Sequence, residues 1–229
     1  MTDILNTSPI PRQVLGDAFD KLSLFHQKLE TEGEPRGIIG PRDVDIIWER
    51  HILNSAAIVP FLKKEMKDLS GAIGDIGSGG GFPGIIIAAC MSQTPVYLVE
   101  PMERRVEWLH EVVEELDLSN VTIIRARAQE VVPGKIEPKI LKQLPARFHG
   151  FDVATCRAVA PMTKLTGMVF PLIRPGGKLV TLKGRSVETE LEKAAKEMKK
   201  YGTYSPRVFE APVAEGLEPT RVLVLKKKQ

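Results

Sequence analysis

Cysteine is almost absent from this 229-residue chain: Cys90 and Cys156 are the only two, and neither belongs to a C-x-x-C pair. That excludes a disulfide framework and a cysteine-rich zinc site, and two lone thiols fit a reducing compartment. The four histidines, His26, His51, His110 and His149, are scattered with no H-E-x-x-H spacing, so no metal is expected. Long apolar runs are missing too. The longest, near Ile85 to Met91, falls far short of the roughly 20 residues that span a bilayer. Asp3, Pro9 and Pro11 interrupt the stretch where a signal peptide would be apolar. A soluble cytoplasmic protein is expected, with no membrane or metal partner and no oligomer indicated. Charge of one sign is also scarce: 32 Lys+Arg against 29 Asp+Glu leave +3, compatible with nucleic acid but no signature of it.

The chain divides into two patterns. From about Arg12 to Glu30, Val14, Leu15, Phe19, Leu22, Phe25 and Leu29 recur at helical spacing, and a turn-rich stretch, Glu32 to Gly37, follows. A second helical pattern runs from about Asp43 to Leu62, interrupted near Pro60. Residues 1–70 are therefore expected to form a helical extension. Residues 71–229 alternate strands and helices. Strands are expected at Ala72–Ile76, Val96–Val99, Val121–Ile124, Phe151–Thr155 and Lys178–Leu182. Helices are expected at Phe82–Met91 (with Pro83 in its first turn), Glu103–Leu116, Met162–Ile173 and Val187–Tyr201. Residues 131–149 read as an insertion or loop with one helical turn, and Arg207–Glu210 and Arg221–Leu225 as closing strands with no helix between them. The basic end, Lys226-Lys227-Lys228-Gln229, is expected to fray. An α/β doubly wound sheet, mostly parallel with a C-terminal antiparallel hairpin, is the class I methyltransferase version of the Rossmann-like fold.

The loop GDIGSGGGFPG, residues 74–84, bears on the cofactor. It holds G-x-G-x-x-G at Gly79, Gly81 and Gly84, a weak dinucleotide signal, and D-x-G-x-G at Asp75, Gly77 and Gly79, which points to S-adenosylmethionine. Either way, glycines at a strand-to-helix turn permit positive φ and close backbone approach, and Glu100 after the next strand can accept from ribose hydroxyls. Tyr97, Tyr201 and Tyr204 are followed four residues on by Pro101, Ser205 and Val208, so the Tyr-x-x-x-Lys pair of short dehydrogenases is missing. Gly-Lys-Ser/Thr is missing as well. Asp75 stands where it can orient the loop, and Leu172 to Val180 is similar to the entry to the fifth strand of class I methyltransferases.

The fourth strand ends in Asp152 to Pro161, on the face where an acceptor would lie. The Asn/Asp-Pro-Pro-Tyr/Phe motif of exocyclic-amine methylation is missing, and Cys156 follows Thr155 rather than the proline typical of a cytosine-C5 nucleophile. What remains is Arg157 with no evident general base. That suits an acceptor with a free lone pair, such as a purine N7, although small molecules also fit.

Arg50-His51-Ile52-Leu53-Asn54-Ser55, the glycine loop with its Phe82-Pro83-Gly84 exit, Cys156-Arg157-Ala158-Val159-Ala160 and Leu182-Lys183-Gly184 occur in that order. Together, over about residues 35–228, they resemble the glucose-inhibited division protein B family of 16S rRNA guanine-N7 methyltransferases. The resemblance implies a bacterial cytoplasmic enzyme that binds 16S rRNA or the small ribosomal subunit. It would methylate N7 of a guanine in the decoding-region 530 loop, number 527 in the family's usual naming. Gly77, Gly79, Glu100 and Ala128-Gln129 would then contact S-adenosylmethionine, and Asp75, Gly81, Phe82 and Arg157 belong with the cofactor site. Arg50, His51, Arg157 and Lys183 would face the RNA or the reacting guanine. Two positions depart from the family pattern. Asn54 replaces an aspartate, which removes a charge partner for Arg50 or His51. Gln129 replaces a glutamate, which leaves a backbone rather than a side-chain contact to adenine.

Plainer roles compete at each position. Arg50, His51 and Asn54 could form a solvated helix face with a structurally bonded histidine, Arg157 could pair with Asp152 or another carboxylate, and Lys183 could be a surface lysine. Arg104, Arg105, Arg125 and Arg127 are as compatible with solvated charge as with an RNA-facing stripe. A small-molecule methyltransferase, or an RNA-binding protein that has lost transfer activity, remains as an alternative.

Overall fold

The computed structural model describes residues 3–66 and 71–229, with the backbone course alone at 203–205. Short buried runs of β-branched and aliphatic residues form the strands. They are β1 (Ile73–Ile76), β2 (Val96–Val99), β3 (Val121–Ile124), β4 (Phe151–Thr155), β5 (Ile173–Lys183), β6 (Thr203–Ala211) and β7 (Thr220–Lys227). They form one sheet in the order β3-β2-β1-β4-β5-β7-β6. Parallel pairing sets Ile73 beside Val96 on one side and Val153 on the other. β7 runs antiparallel between β5 and β6, which gives the expected closing hairpin. This is the class I methyltransferase sheet. Its strand order reverses between β1 and β4, so a crevice opens at their carboxyl ends.

Two layers cover the sheet, and the period-2 alternation of each strand divides its side chains between them. Ile73, Val153, Val180 and Val222 face one core and Ile76, Ala154, Leu179 and Leu223 the other. The first core holds the N-terminal helices α1 (Ile10–Leu15), α2 (Phe19–Lys28), α3 (Asn54–Ala56) and α4 (Val59–Glu65), with α5 (Gly84–Cys90) and α6 (Glu103–Glu115). A short turn, α7 (Pro138–Leu141), together with α8 (Met162–Val169) and α9 (Val187–Lys200), covers the second. Phe25 of α2 packs against Phe82 and Trp108, with ring centroids 5.6 and 6.5 Å apart. Lys28 and Arg36 bridge to Glu111 and Glu115 of α6 and tie the helical layer to the sheet domain. The expected boundary after residue 70 falls beside 67–70, outside the described residues.

Several boundaries differ from the sequence reading. Gly16, at φ 51°, breaks the first helix. The second pattern is a succession of short turns in which Trp48–Leu53 is π-helical. Pro83 precedes α5 rather than lying in its first turn. α8 ends at Val169 and passes through a 3₁₀ turn, Phe170–Leu172, so Ile173 already belongs to a strand. Arg174 to Gly177 lie within β5, where the register against β4 shifts between Phe151 and Val153. Arg174 Nε donates to Asp152 Oδ1 at 2.6 Å and pins this irregular stretch. The C-terminal lysines do not fray: Lys227 Nζ donates to the carbonyls of Phe170 and Ile173 at 2.8 and 2.5 Å. Among the described residues no helix is long and apolar enough to cross a membrane, and no cluster of side chains suits a metal ion.

Candidate active site

The glycine loop joins β1 to α5. Gly77, Gly79 and Gly81 adopt φ of 74°, 56° and 102°, a region that L side chains rarely occupy. The two later glycines are needed for different reasons. A Cβ on Gly79 would meet Arg105 Nη1 at 3.7 Å and the Gly77 carbonyl oxygen at 3.9 Å, ordinary contact distances, so that glycine is needed for its backbone angle and not for space. A Cβ on Gly81 would lie 2.6 Å from Ile85 Cγ1, so that glycine is needed for packing. The loop is held from below and behind. Trp108 Nε1 donates to the Gly80 carbonyl at 3.1 Å, and Ser78 Oγ donates to the Asp75 carbonyl at 3.0 Å.

Two carboxylates flank the loop. Glu100 is buried and accepts from Gly79 N and Met102 N, both at 2.9 Å, so it clamps the loop to the end of β2. A carboxylate has about four lone-pair sites, so acceptor capacity remains toward the cleft. Asp75 is fully buried; its Oδ2 accepts from Gly84 N at 3.1 Å while Oδ1 has no partner among the described residues. Burial pushes its carboxyl up to about 7, against the opposing pull of the nearby Ser78 hydroxyl and of the Gly84 N–H hydrogen bond.

Gly77, Gly79, Phe82, Glu100, Met102 and Arg157 are among the residues around a cleft of about 370 Å³. A second, larger cavity of about 930 Å³ shares Arg157, Ala158 and Val159 with it. Its walls include Asp43, Arg50, His51 and Asn54 from the helical layer, and Pro161, Lys183 and Glu190 from the sheet domain. Arg157, Ala158 and Val159 line both spaces. Ala158 has φ 55°, a strained setting for a residue with a side chain, at the partition between the two.

Arg157 is the junction. Its Nη1 donates to the Arg50 carbonyl at 2.9 Å, its Nη2 lies 2.7 Å from His51 Nδ1, and its guanidinium sits 4.9 Å from the Phe82 ring centroid. Asp152, the carboxylate considered as its partner, is engaged by Arg174 instead. Arg157 has no carboxylate partner among the described residues. Burial brings its pKa down to about 10, so it stays charged at neutral pH.

His51 is buried and neutral. Burial first, and the Arg157 charge second, lower its pKa to about 4. Because a guanidinium cannot accept, Nδ1 is the bare nitrogen and Nε2 carries the proton, 3.1 Å from Asp43 Oδ2. Asp43 Oδ1 also lies 3.2 Å from Arg50 Nε. Asp43 thus supplies the charge partner that Asn54 does not. Arg50 is largely exposed and Asn54 half-buried, while His51 is the structurally bonded histidine of the plainer reading, set between Arg157 and Asp43.

Lys183 is no free surface lysine. It is 9% exposed and its Nζ lies 2.7 Å from Glu190 Oε2. Cys156 is buried with its thiol pushed up to about 11 by burial, and it lies 3.3 Å from Thr181 Oγ1. That environment suits packing and not nucleophilic attack. Ala128 and Gln129 begin a 3₁₀ turn after β3; Ala128 is buried, Gln129 is exposed, and neither is among the residues around the smaller cleft. Gly81 shapes the loop without lining it. Of the four arginines weighed between solvated charge and an RNA-facing stripe, Arg125 pairs with Glu103 and Arg105 lines the smaller cleft. Asp43 and Glu190 are not among the site residues expected from the sequence. Neither stands in a motif of its own, and only tertiary packing brings them to the cavity.

Residues 18–211 match the family model described as rRNA small subunit methyltransferase G. The chain is 54% identical to the ribosomal RNA small subunit methyltransferase G of Bifidobacterium adolescentis, over all of this chain and 97% of that protein. It is 39% identical to the protein of that name from Corynebacterium glutamicum, over all of this chain and 95% of that one. Among solved structures, a SAM-dependent O-methyltransferase from Thermotoga maritima superposes with a TM-score of 0.53 at 18% identity, over 88% of this chain and 71% of that one. That last likeness is one of fold. The matches along its whole length place the sequence: the chain belongs to the rRNA small subunit methyltransferase G family.

Proposed function

We propose that the protein transfers a methyl group from S-adenosylmethionine to N7 of a guanine in 16S rRNA, at the 530-loop position that the family's naming numbers 527. Family membership supports the coarser statement, an S-adenosylmethionine-dependent methyltransferase of small-subunit rRNA. One observation carries the finer reading: the Arg157-Ala158-Val159 partition is shared by a cofactor-sized cleft and a larger polar cavity. A donor in the first and a base in the second would meet there, which is the proximity that methyl transfer needs.

The residues present fit the cofactor. The cleft is of the size that holds such ligands, at the sheet's switch point. Gly79 brings its backbone to the cleft, Glu100 beside it retains lone pairs for ribose hydroxyls, and Asp75, buried behind the loop, leaves Oδ1 unpartnered. The bound cofactor supplies an electrophilic methyl on a sulfonium.

What the chain supplies is orientation and charge. A guanine N7 would react through its own lone pair with the methyl that such a cofactor would supply, so no residue of this chain would have to take a proton. The site agrees with that requirement. Neutral His51 is occupied on Nδ1 by Arg157 and protonated on Nε2, so it acts by positioning Arg157 and not as a general base. Arg157, a fixed cation, can hold a phosphate or the guanine O6. Within this reading, residues 1–70 are a helical extension that contributes one wall of the acceptor cavity, and residues 71–229 are the methyltransferase domain. The base must be unpaired or flipped to enter.

Transfer of labelled methyl to small-subunit particles and to naked rRNA, side by side, tests the reading. One labelled guanine is expected, and its label is lost on Arg157→Ala. If the cofactor binds and neither RNA is labelled, the substrate assignment fails and small-molecule acceptors replace it.

A further inference from the structure

The acceptor cavity contains a charged pair with no part in joining the two spaces. Glu190, in the first turn of α9, receives Lys183 Nζ at 2.7 Å and Met162 N at 3.2 Å, both on the single oxygen Oε2. Lys183 is 9% exposed and Glu190 26%, so the pair is fixed in the wall and still reachable from the cavity. Burial favours the protonated acid, but the Lys183 ammonium and the Met162 N–H outweigh it and hold the Glu190 carboxyl below its ordinary value. At neutral pH the wall therefore presents an acceptor-only carboxylate beside an ammonium with two further N–H donors.

That order of groups has a complement among the bases. Guanine carries O6, N1–H and N2–H₂ in sequence along one edge: an acceptor followed by two donors. Adenine presents a donor followed by an acceptor there, and cytosine presents a donor followed by two acceptors. Resting on the reading above, we propose that Lys183 and Glu190 are the specificity-determining pair for guanine, with Lys183 donating to O6 and Glu190 accepting from N1–H and N2–H₂. N7 lies beyond O6 from that edge, so an edge held by this pair leaves N7 open to the methyl donor. The carboxylate gains a second use during transfer. Methylation places positive charge on the base and makes N1–H a stronger donor, so this hydrogen bond strengthens as the bond to carbon forms. Glu190 would then favour the transition state as well as the correct base.

The test uses full-length protein and small-subunit particles reconstituted with either guanine or hypoxanthine at the target position. Hypoxanthine keeps O6, N1–H and N7 and lacks only the 2-amino group. Wild-type enzyme should prefer guanine on the order of tenfold in kcat/KM, because a charged acceptor loses its second donor. Glu190→Ala and Glu190→Gln should both lower kcat, and Glu190→Ala should methylate the two particles at equal rates. The guanine-to-hypoxanthine ratio is measured within each variant, so the amount of folded enzyme cancels. Retention of the wild-type ratio by Glu190→Ala overturns the pair's role in base reading, as does a wild-type ratio of one. Failure of wild-type enzyme to methylate any guanine N7 overturns the function itself, a distinct result seen before any variant is made.

Discussion

Two buried groups at the site titrate in opposite senses across the same pH window. His51 has a pKa near 4 in the fold against an ordinary 6.5, so the unfolded chain takes up a proton that the folded chain refuses. Its contribution to stability is complete above 6.5 and is lost as pH falls toward 4. Asp75 is raised from 3.8 to about 7, so the folded chain keeps a proton that the unfolded chain releases. Its contribution is lost as pH rises from about 4 through 7. Between pH 5 and pH 6.5 each changes stability by about 2 kcal/mol, His51 upward and Asp75 downward. The carboxyls held low, such as Glu65, Glu111 and Glu190, act only as pH falls below about 4.5. Wild-type protein without added cofactor should therefore show nearly constant stability over this window, and single substitutions should unmask each slope. Asp75→Asn leaves His51 alone, so urea unfolding should show stability rising by about 2 kcal/mol from pH 5 to 6.5. His51→Gln leaves Asp75 alone, and stability should fall by a similar amount. Flat profiles in both variants, or slopes of the reverse sign, would refute the assignment of these two groups.

Other expectations follow from single contacts. Asp43→Asn removes the negative charge beside His51 Nε2 and Arg50 Nε, so kcat for methyl transfer should fall about three- to tenfold, while S-adenosylhomocysteine affinity measured by calorimetry stays unchanged. Gly79→Ala should cost about 1 kcal/mol in denaturant unfolding, from its left-handed φ alone, and weaken cofactor binding. Gly81→Ala should cost more, about 2–3 kcal/mol, because its Cβ must also displace Ile85. Cys156→Ala should keep methyl transfer within about threefold of wild type, since burial holds the thiol protonated; a loss of a hundredfold or more would restore the nucleophile reading.

The sheet was legible from sequence because its strands are short, apolar and bounded by turn residues, as in Val96–Val99 before Glu100 and Val121–Ile124 after Asn120. The glycine loop was legible for a similar reason: Gly77, Gly79 and Gly81 occupy φ values that other residues avoid. The acceptor wall was legible in part. Arg157 and His51 stood in recognisable motifs, but their direct contact joins positions 106 residues apart and no local pattern encodes it. Trp48–Leu53 is π-helical, and buried His51 stands between Arg157 and Asp43, as the structurally bonded histidine of the plainer reading would. Asp43 and Glu190 escaped notice because isolated acidic residues in polar segments look like any solvated charge. The three C-terminal lysines read as a loose tail, yet Lys227 caps the carbonyls at Phe170 and Ile173. Charge composition says nothing about which charges find buried partners.

The most direct measurement of the central claim is the position of the methyl group. Small-subunit rRNA from a strain lacking the gene, from the complemented strain and from a strain carrying Arg157→Ala would be reduced and cleaved at N7-methylguanine. The account expects one 530-loop cleavage that complementation restores and that both the deletion and Arg157→Ala lack. An identical cleavage pattern in all three RNAs would contradict it.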